Sequence, residues 1–478
     1  MILYYKGISS IYETENVVRI FYPQAALLNK QREKAEKAYC FVRQTGGKLF
    51  IGVCINSKKS WRTFSLPQNN VELLITQTLF GMLSSVTGYV PEWGMLTGVR
   101  PVSFLRSFFE KGYAEKKVEK IFKNNYFLQE EKYSIALQIM KKQDELIAKA
   151  SHNAYSLYIS IPFCPSRCSY CSFVSQTTSA EGHLIPAYIK ALCKELEDTA
   201  IIAEQLGLRL ETVYMGGGTP TSISAEQLTH IFNTLHRCFP MKNIKEFTVE
   251  AGRPDTITEE KLLVIKNAGA TRISINPQTL NDEVLAEISR PHKAEDFVKA
   301  FQLARRMGFD NINTDLIAGL PKDTVEGFEK TIQDIIKLKP ENVTVHTLTL
   351  KRASKIVIDG TAEKNLQENV AAMLQKRQVL LQHGYFPYYL YRQKGTLQNL
   401  ENIGYSLRGK EGLYNIFIME EVHTVLSCGA GGSTKLKAPN GKKISRMFNH
   451  KYPSDYINDS SKLQEKNGKI VHFFSCEK

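Results

Sequence analysis

Hydrophobic and polar positions change their period along this chain of 478 residues. Up to about residue 70 the apolar side chains alternate, and 16–22, 38–43 and 48–55 read as strands. Gly46-Gly47 lies between the last two and predicts a hairpin turn. Cys40 and Cys54 fall on its two arms and read as buried apolar residues. From 70 to about 151 the period becomes helical, over 71–86, 102–109 and a long charged stretch at 131–150. A loop punctuated by glycine, from Trp93 to Pro101, leads into the second of these. Trp93 and Arg100 in that loop suit either packing and surface or substrate contact. Residues 1–150 are therefore expected to form an α+β N-terminal domain.

From 155 onward strand and helix patterns alternate. Strands are expected near 155–160, 211–215, 245–250, 271–275, 311–317 and 342–348. Helical patterns fill the gaps at 185–206, 224–238, 258–267, 281–289, 294–307 and 325–338. Six such units in series argue for a parallel sheet in an α/β domain over 151–350. A helix over 360–382 and an aromatic strand over 386–392 follow. With 399–405, 411–416 and 426–435 they predict a small α+β domain over 351–478 that covers the substrate.

This length is too great for one ordinary core, which agrees with two or three domains. Apolar residues at 43% and charged residues at 23% are those of a globular protein. The chain does not open like a secretion signal, and no apolar run reaches the length of a membrane span. Nine cysteines without a regular framework fit a reducing cytoplasm. The net charge of +14 permits an anionic partner, but the basic residues are dispersed over the chain. No nucleic-acid-binding module is recognisable, so no nucleic-acid partner is expected.

The candidate chemistry is concentrated after the strand at 155–160. Cys164, Cys168 and Cys171 stand there with three and then two residues between them. Three thiolates so spaced can hold three corners of a cubane 4Fe–4S cluster, leaving the fourth iron open to a small molecule. Structural zinc is the first competitor, but it normally takes four ligands, and no His or fourth Cys lies close by. A disulfide is disfavoured by the odd number and by the compartment. Three core cysteines are the remaining alternative.

Other motifs fall where strands end and loops begin, the place where barrel-like α/β folds carry their chemistry. Gly216-Gly217-Gly218-Thr219 follows the second strand, and its glycines let backbone approach a ligand. Glu250 closes the third strand, and Gln278 follows the fourth, with Arg290 twelve residues later. Asp315 places a charge inside an apolar fifth strand, which is costly unless it is paired or ligand-bound.

The cysteine spacing, with Tyr170 before the last Cys, resembles the signature of the radical SAM superfamily. The resemblance implies a partial (β/α)6 radical SAM barrel. Its cofactors would be one 4Fe–4S cluster and S-adenosyl-L-methionine (SAM), cleaved to a 5′-deoxyadenosyl radical. The remaining motifs resemble the branch of oxygen-independent coproporphyrinogen III dehydrogenases, and the loops at 93–101 and 386–435 resemble its HemZ type. That likeness implies that Gly216, Gly217, Gly218 and Thr219 bind the amino group of SAM. It implies that Glu250 binds SAM, that Gln278 and Asp315 meet the ribose, and that Arg290 pairs with the carboxylate. Tyr158 would lie near cluster and substrate, with a core-facing tyrosine as the alternative. The reaction implied is oxidative decarboxylation of coproporphyrinogen III to protoporphyrinogen IX, fed by an electron donor such as flavodoxin or ferredoxin. The same branch holds haem-trafficking chaperones, methyltransferases and haem-opening enzymes. His346 and His423 are the candidate haem ligands of the chaperone alternative, with ordinary structural roles preferred.

Overall fold

A computed structural model describes every residue except 9–10, 29–37, 57, 68, 152, 174, 352–353, 355–368, 440, 442 and 477–478. The chain forms two compact units, Met1–Met140 with Arg392–Glu401, and Lys141–Tyr391 with Asn402–Lys478.

The first unit contains strands β1 (Ile2–Lys6), β2 (Ala26–Leu28), β3 (Ala38–Thr45), β4 (Lys48–Ile55) and β5 (Lys58–Ser65). They form one sheet in the order β2-β1-β3-β4-β5. Gly46 and Gly47 turn the β3–β4 hairpin with φ of 56° and 71°, the left-handed backbone that a tight hairpin asks for. Cys40 lies opposite Val53 and Cys54 opposite Tyr39, and both cysteines are buried. Leu3, Val42, Ile51, Leu79 and Leu83 are fully enclosed in the core between this sheet and the helix Val71–Thr87.

Residues 16–22 do not form a strand. Residues 16–21 belong to a helix, Tyr12–Phe21, capped by Tyr22, that buries Thr14, Val17 and Val18 and packs Phe21 against the same core. Those positions recur at i, i+3, i+4 and i+7, a helical face that a window of seven residues is too short to show. Helices Pro101–Glu110 and Glu130–Ile147 stand where the pattern places them. The helix Glu115–Tyr126 between them reads in the sequence as a mixed-charge run, yet it buries Val118 and Phe122. Trp93 is packed away at 1% exposure. Its indole donates to Glu401 at 2.6 Å, and the Arg392 guanidinium lies over its ring. That favours packing over substrate contact.

The second unit is built on β6 (Ala154–Ile161). After the short pair β7 (Phe163–Cys164) and β8 (Gln176–Thr177) come β9 (Arg209–Gly217), β10 (Glu246–Glu250), β11 (Arg272–Ser274), β12 (Ile312–Ala318) and β13 (Asn342–Thr347). β6 and β9 to β13 run parallel in chain order. Helices Ile185–Gln205, Ala225–Cys238, Glu259–Asn267, Ala294–Arg306 and Val325–Leu338 connect them. The register of β/α units is therefore the expected α/β one. Ser224 and Gln227 form a reciprocal capping box that starts one of these helices.

The sheet continues on both edges. β14 (Phe386–Arg392) and β15 (Glu401–Ser406) lie beyond β13. β16 (Thr424–Cys428), β17 (Ser433–Lys437) and β18 (Ile444–Phe448) extend it beyond β6. Of the expected helix at 360–382, residues 360–368 lie outside the described residues. The remainder forms two short helices, Val370–Gln375 and Gln378–Gln382.

Candidate functional site

The cysteines leave the C-terminal end of β6 on a tight loop. Cys171 N–H donates to the Cys168 carbonyl at 3.1 Å, and Ser169 N–H donates to the Ile288 carbonyl at 3.1 Å. All three thiols are free of disulfides. Burial and the neighbouring thiols push Cys171 up to about 11. Thr219 Oγ1 lies 3.5 Å from Cys164 Sγ, and Arg253 Nη1 lies 3.9 Å from Cys168 Sγ. Among the described residues no three His, Cys, Asp or Glu side chains converge as around one metal ion. A cubane takes each thiolate on a different iron, so three free thiols on one loop suit that group.

The glycine run sits beside this loop because the backbones touch. Gly218 N–H donates to the Ile161 carbonyl and Thr219 N–H to the Phe163 carbonyl, each at 2.8 Å. A Cβ on Gly218 would lie 2.5 Å from the Phe163 carbonyl oxygen. One on Gly216 would lie 2.9 Å from the Glu250 carboxylate, so β9 and Glu250 meet at one point. Glu250 accepts a short hydrogen bond from Tyr214. Burial pushes its carboxyl up to about 7 against that bond, and the charge of Asp315 adds to the rise.

Gln278 takes positive φ (69°) to bridge onto β12. Its N–H donates to the Asp315 carbonyl at 3.0 Å, and Ile317 N–H donates to its carbonyl at 2.9 Å. Its side-chain Oε1 is buried without a hydrogen-bond partner. Asp315 accepts from Asn313 Nδ2 at 2.8 Å and lies 3.7 Å from His346 Nε2. Burial raises the Asp315 carboxyl, but the hydrogen bond and charge of His346, with Asn313 and Thr344, outweigh it and leave it below the ordinary value. His346 Nδ1 also lies 3.0 Å from the Tyr391 hydroxyl.

Arg290 lies among backbone carbonyls beside the cysteine loop. Nη1 donates to the carbonyls of Asn276 (2.6 Å) and Gly252 (3.4 Å), and Nη2 donates to the Tyr170 hydroxyl at 3.3 Å. Its Nε is buried without a partner. The same segment lines a cleft of about 410 Å³ with Ser166, Asp282, His292 and Lys293. His292 is buried with its Nδ1 4.0 Å from Asp255 Oδ1, and burial with the Arg290 charge lowers it to about 4.

Tyr158 stands on β6 in an aromatic stack absent from the motifs. Its ring lies 6.1 Å from Tyr214 and 6.4 Å from Tyr414, and those two are 4.5 Å apart. Glu246 holds Tyr414 there by accepting from the N–H groups of Leu413 (2.8 Å) and Tyr414 (3.1 Å). His423, in contrast, is a core residue. Ser156 Oγ lies 2.7 Å from its Nε2, and burial drops it to about 3. The buried oxygens and nitrogens of Gln278 and Arg290, the close glycines and the free thiols make a donor set suited to a cluster with a polar ligand beside it.

A profile of the Radical SAM superfamily matches residues 158–335. The chain is 39% identical over 391 residues to the oxygen-independent coproporphyrinogen-III oxidase-like protein HemZ of Bacillus subtilis (strain 168), spanning 81% of this chain and 78% of that one. It is 29% identical over 317 residues to the heme chaperone HemW of Haemophilus influenzae, spanning 65% of this chain and 78% of that one. Among solved structures, coproporphyrinogen III oxidase (HemN) from Escherichia coli superposes with a TM-score of 0.52 at 22% identity, over 68% of this chain and 72% of that one. That last likeness concerns fold alone.

Proposed function

The chain belongs to the radical SAM superfamily, in its HemZ-type coproporphyrinogen oxidase-like branch, and on that premise we propose that it oxidatively decarboxylates a tetrapyrrole. The family's cofactors are a 4Fe–4S cluster and SAM. When bound they supply a hydrogen-abstracting radical. In the proposal Cys164, Cys168 and Cys171 hold the cluster. Gly216, Gly217, Gly218, Thr219, Glu250, Gln278, Arg290 and Asp315 hold SAM. Coproporphyrinogen III is the substrate and protoporphyrinogen IX the product. Each of two propionates loses a β-hydrogen, carbon dioxide and one electron to become a vinyl group. The electron goes to an acceptor, and flavodoxin or ferredoxin reduces the cluster. Residues 351–478 cover the substrate, the protein works in the cytoplasm, and no nucleic acid takes part. Among the described residues no helix is long and apolar enough to cross a membrane.

The observation that carries this reading is the stack of Tyr158, Tyr214 and Tyr414 beside Glu250 and the glycine run. Flat apolar faces of that kind suit a macrocycle edge held next to the cofactor. In it Tyr158 orients a propionate, and its neighbours exclude water. The test is anaerobic incubation of reconstituted protein with SAM, reductant and coproporphyrinogen III. Mass spectrometry should find two successive losses of carbon dioxide plus two hydrogens. Deuterium at the propionate β-carbons should pass into 5′-deoxyadenosine, more slowly in Tyr158→Phe.

A second reading, a haem-trafficking chaperone, is favoured by the likeness to HemW. In it His346, partly exposed on β13, would exchange its contact with Asp315 or Tyr391 for the haem iron. Stoichiometric haem binding without deuterium transfer would select it over the decarboxylase. A radical methyltransferase or a haem-opening enzyme would instead show a mass gain or an opened macrocycle when haem replaces coproporphyrinogen III in that assay.

A further inference from the structure

The loop that carries the cysteines is gripped by a residue that no motif marks. Arg253 follows β10 by three residues and is 3% exposed. Its Nε and Nη2 donate to the two carboxylate oxygens of Asp255, each at 3.0 Å. Nη1 donates to the Ser166 carbonyl at 3.3 Å and points at Cys168 Sγ at 3.9 Å. Nη2 also donates to Ser166 Oγ at 3.1 Å. Asp255 lies in the turn Pro254–Thr256, which Thr256 Oγ1 closes by donating to the Arg253 carbonyl at 2.7 Å.

A buried guanidinium is costly unless it is paired and its donors are used. Here a carboxylate meets one edge bidentately, and the other edge faces the cysteine loop. Lysine offers one point charge and could not span both sides. The result is an oriented pair with its positive end toward a thiol. Groups behind a metal's ligands fix those ligands and tune the metal, and cluster potentials respond to nearby charge and to hydrogen bonds at sulfur.

We infer that Arg253, anchored by Asp255, is a positioning residue for the cluster: it fixes the Ser166-to-Cys168 segment and sets a positive charge against Cys168 that favours the reduced state. This rests on the reading that Cys164, Cys168 and Cys171 hold the cluster. A reduced cluster carries one more negative charge, so a cation beside it raises the midpoint potential and an anion lowers it.

The test uses the full-length chain, reconstituted anaerobically as wild type, Arg253→Gln, Arg253→Lys and Asp255→Asn. Iron content and midpoint potential are read, the latter by poising samples and following the reduced signal by electron paramagnetic resonance. Arg253→Gln should move the reduced-to-oxidised ratio at fixed potential about tenfold toward oxidised, about 59 mV for a one-electron couple. Asp255→Asn should move it the opposite way, and Arg253→Lys should recover part of the wild-type value. A brace that merely stiffened the loop would shift both neutralised variants in the same direction. Shifts of the same sign, or none, overturn the inference. If Arg253→Gln holds no cluster, Asp255→Asn decides alone, and an unchanged or lowered potential there overturns the inference. A wild-type protein without iron removes the cluster reading itself, and this inference with it.

Discussion

Two buried acidic clusters in the second unit are treated in opposite ways. Around Glu195 the acceptors are satisfied. Its carboxylate accepts from Gly429 N–H (2.7 Å), Asn449 Nδ2 (2.8 Å), the Tyr456 hydroxyl (2.5 Å) and the Lys466 ammonium. Lys466 donates in turn to the Ser427 carbonyl at 3.0 Å. Around Glu250 the protein stops short. Gln278 Oε1, on the residue bonded to the Asp315 backbone, is buried without a partner, and Glu250 has its carboxyl raised to about 7. An unmade buried hydrogen bond costs about 1–3 kcal/mol, so native proteins rarely leave one without a reason. The Glu195 carboxylate is saturated by protein donors, and its network ties Ile185–Gln205 to β16 and the helix Ser461–Cys476. The second cluster leaves Gln278 Oε1 without a protein partner. The two carboxylates differ in what the protein offers them: four donors surround Glu195, whereas Glu250 meets the Tyr214 hydroxyl and the Gly217 backbone.

That contrast predicts opposite failures. Replacing any one of Cys164, Cys168 or Cys171 with Ala should abolish the brown chromophore and SAM cleavage while thermal unfolding of the apo-protein stays close to wild type. A triple Ala variant that still bound four irons per chain would refute the cluster assignment. Lys466→Met should do the reverse. It strands the Glu195 charge, and breaking a buried pair from one side costs about 3–5 kcal/mol. Chemical denaturation should show that loss, and protein that remains folded should still assemble a cluster. If Lys466→Met unfolds no more readily than wild type, satisfaction is not what distinguishes the clusters.

The next effect is smaller and tests the orphans directly. Gln278→Met keeps length and removes Oε1, and Asp315→Asn removes the charge beside it. Each should weaken SAM binding about tenfold, roughly 1.4 kcal/mol, as measured by equilibrium dialysis, with iron content unchanged. Arg290→Lys should weaken SAM binding as well, because a lysine cannot reach two carbonyls and Tyr170 together. Unchanged SAM affinity in all three variants would take these positions out of the cofactor pocket.

The β/α order of the second unit was legible because its strands are buried on both faces and its helices are amphipathic, so the two periods stand apart. Helix Tyr12–Phe21 was not, since a short window holding Val17, Val18 and Phe21 alternates as readily as it spirals. The glycine run and the chain order of Glu250, Gln278 and Asp315 were readable from their places at strand ends. The aromatic stack was not, because Tyr214 sits in a strand interior and Tyr414 arrives from far along the chain. Arg253 left only a faint trace, a basic-Pro-acidic triplet just past the rim glutamate. His423, for which the sequence favoured an ordinary structural role over haem ligation, is enclosed by Ser156 and Phe417.

The smallest effect is the one that charge regulation at Glu250 should produce. Burial raises its carboxyl from an ordinary 4.5 to about 7, so the folded protein holds the proton more tightly than the unfolded chain. By linkage the stabilisation belonging to this group is fully present below about pH 4.5 and is lost as pH rises through 7. A cationic ligand needs the opposite form, the carboxylate. SAM affinity should therefore rise with pH through 7, by at most about tenfold per unit below that value, and then level off. Glu250→Gln should remove the slope and leave weak binding at every pH. Asp315→Asn should move the bend to lower pH, because the Asp315 charge is one of the groups holding the Glu250 carboxyl up. A wild-type affinity flat from pH 6 to 8 would mean that Glu250 is not ionised by the ligand, and would return it to the class of acids that the protein satisfies by itself.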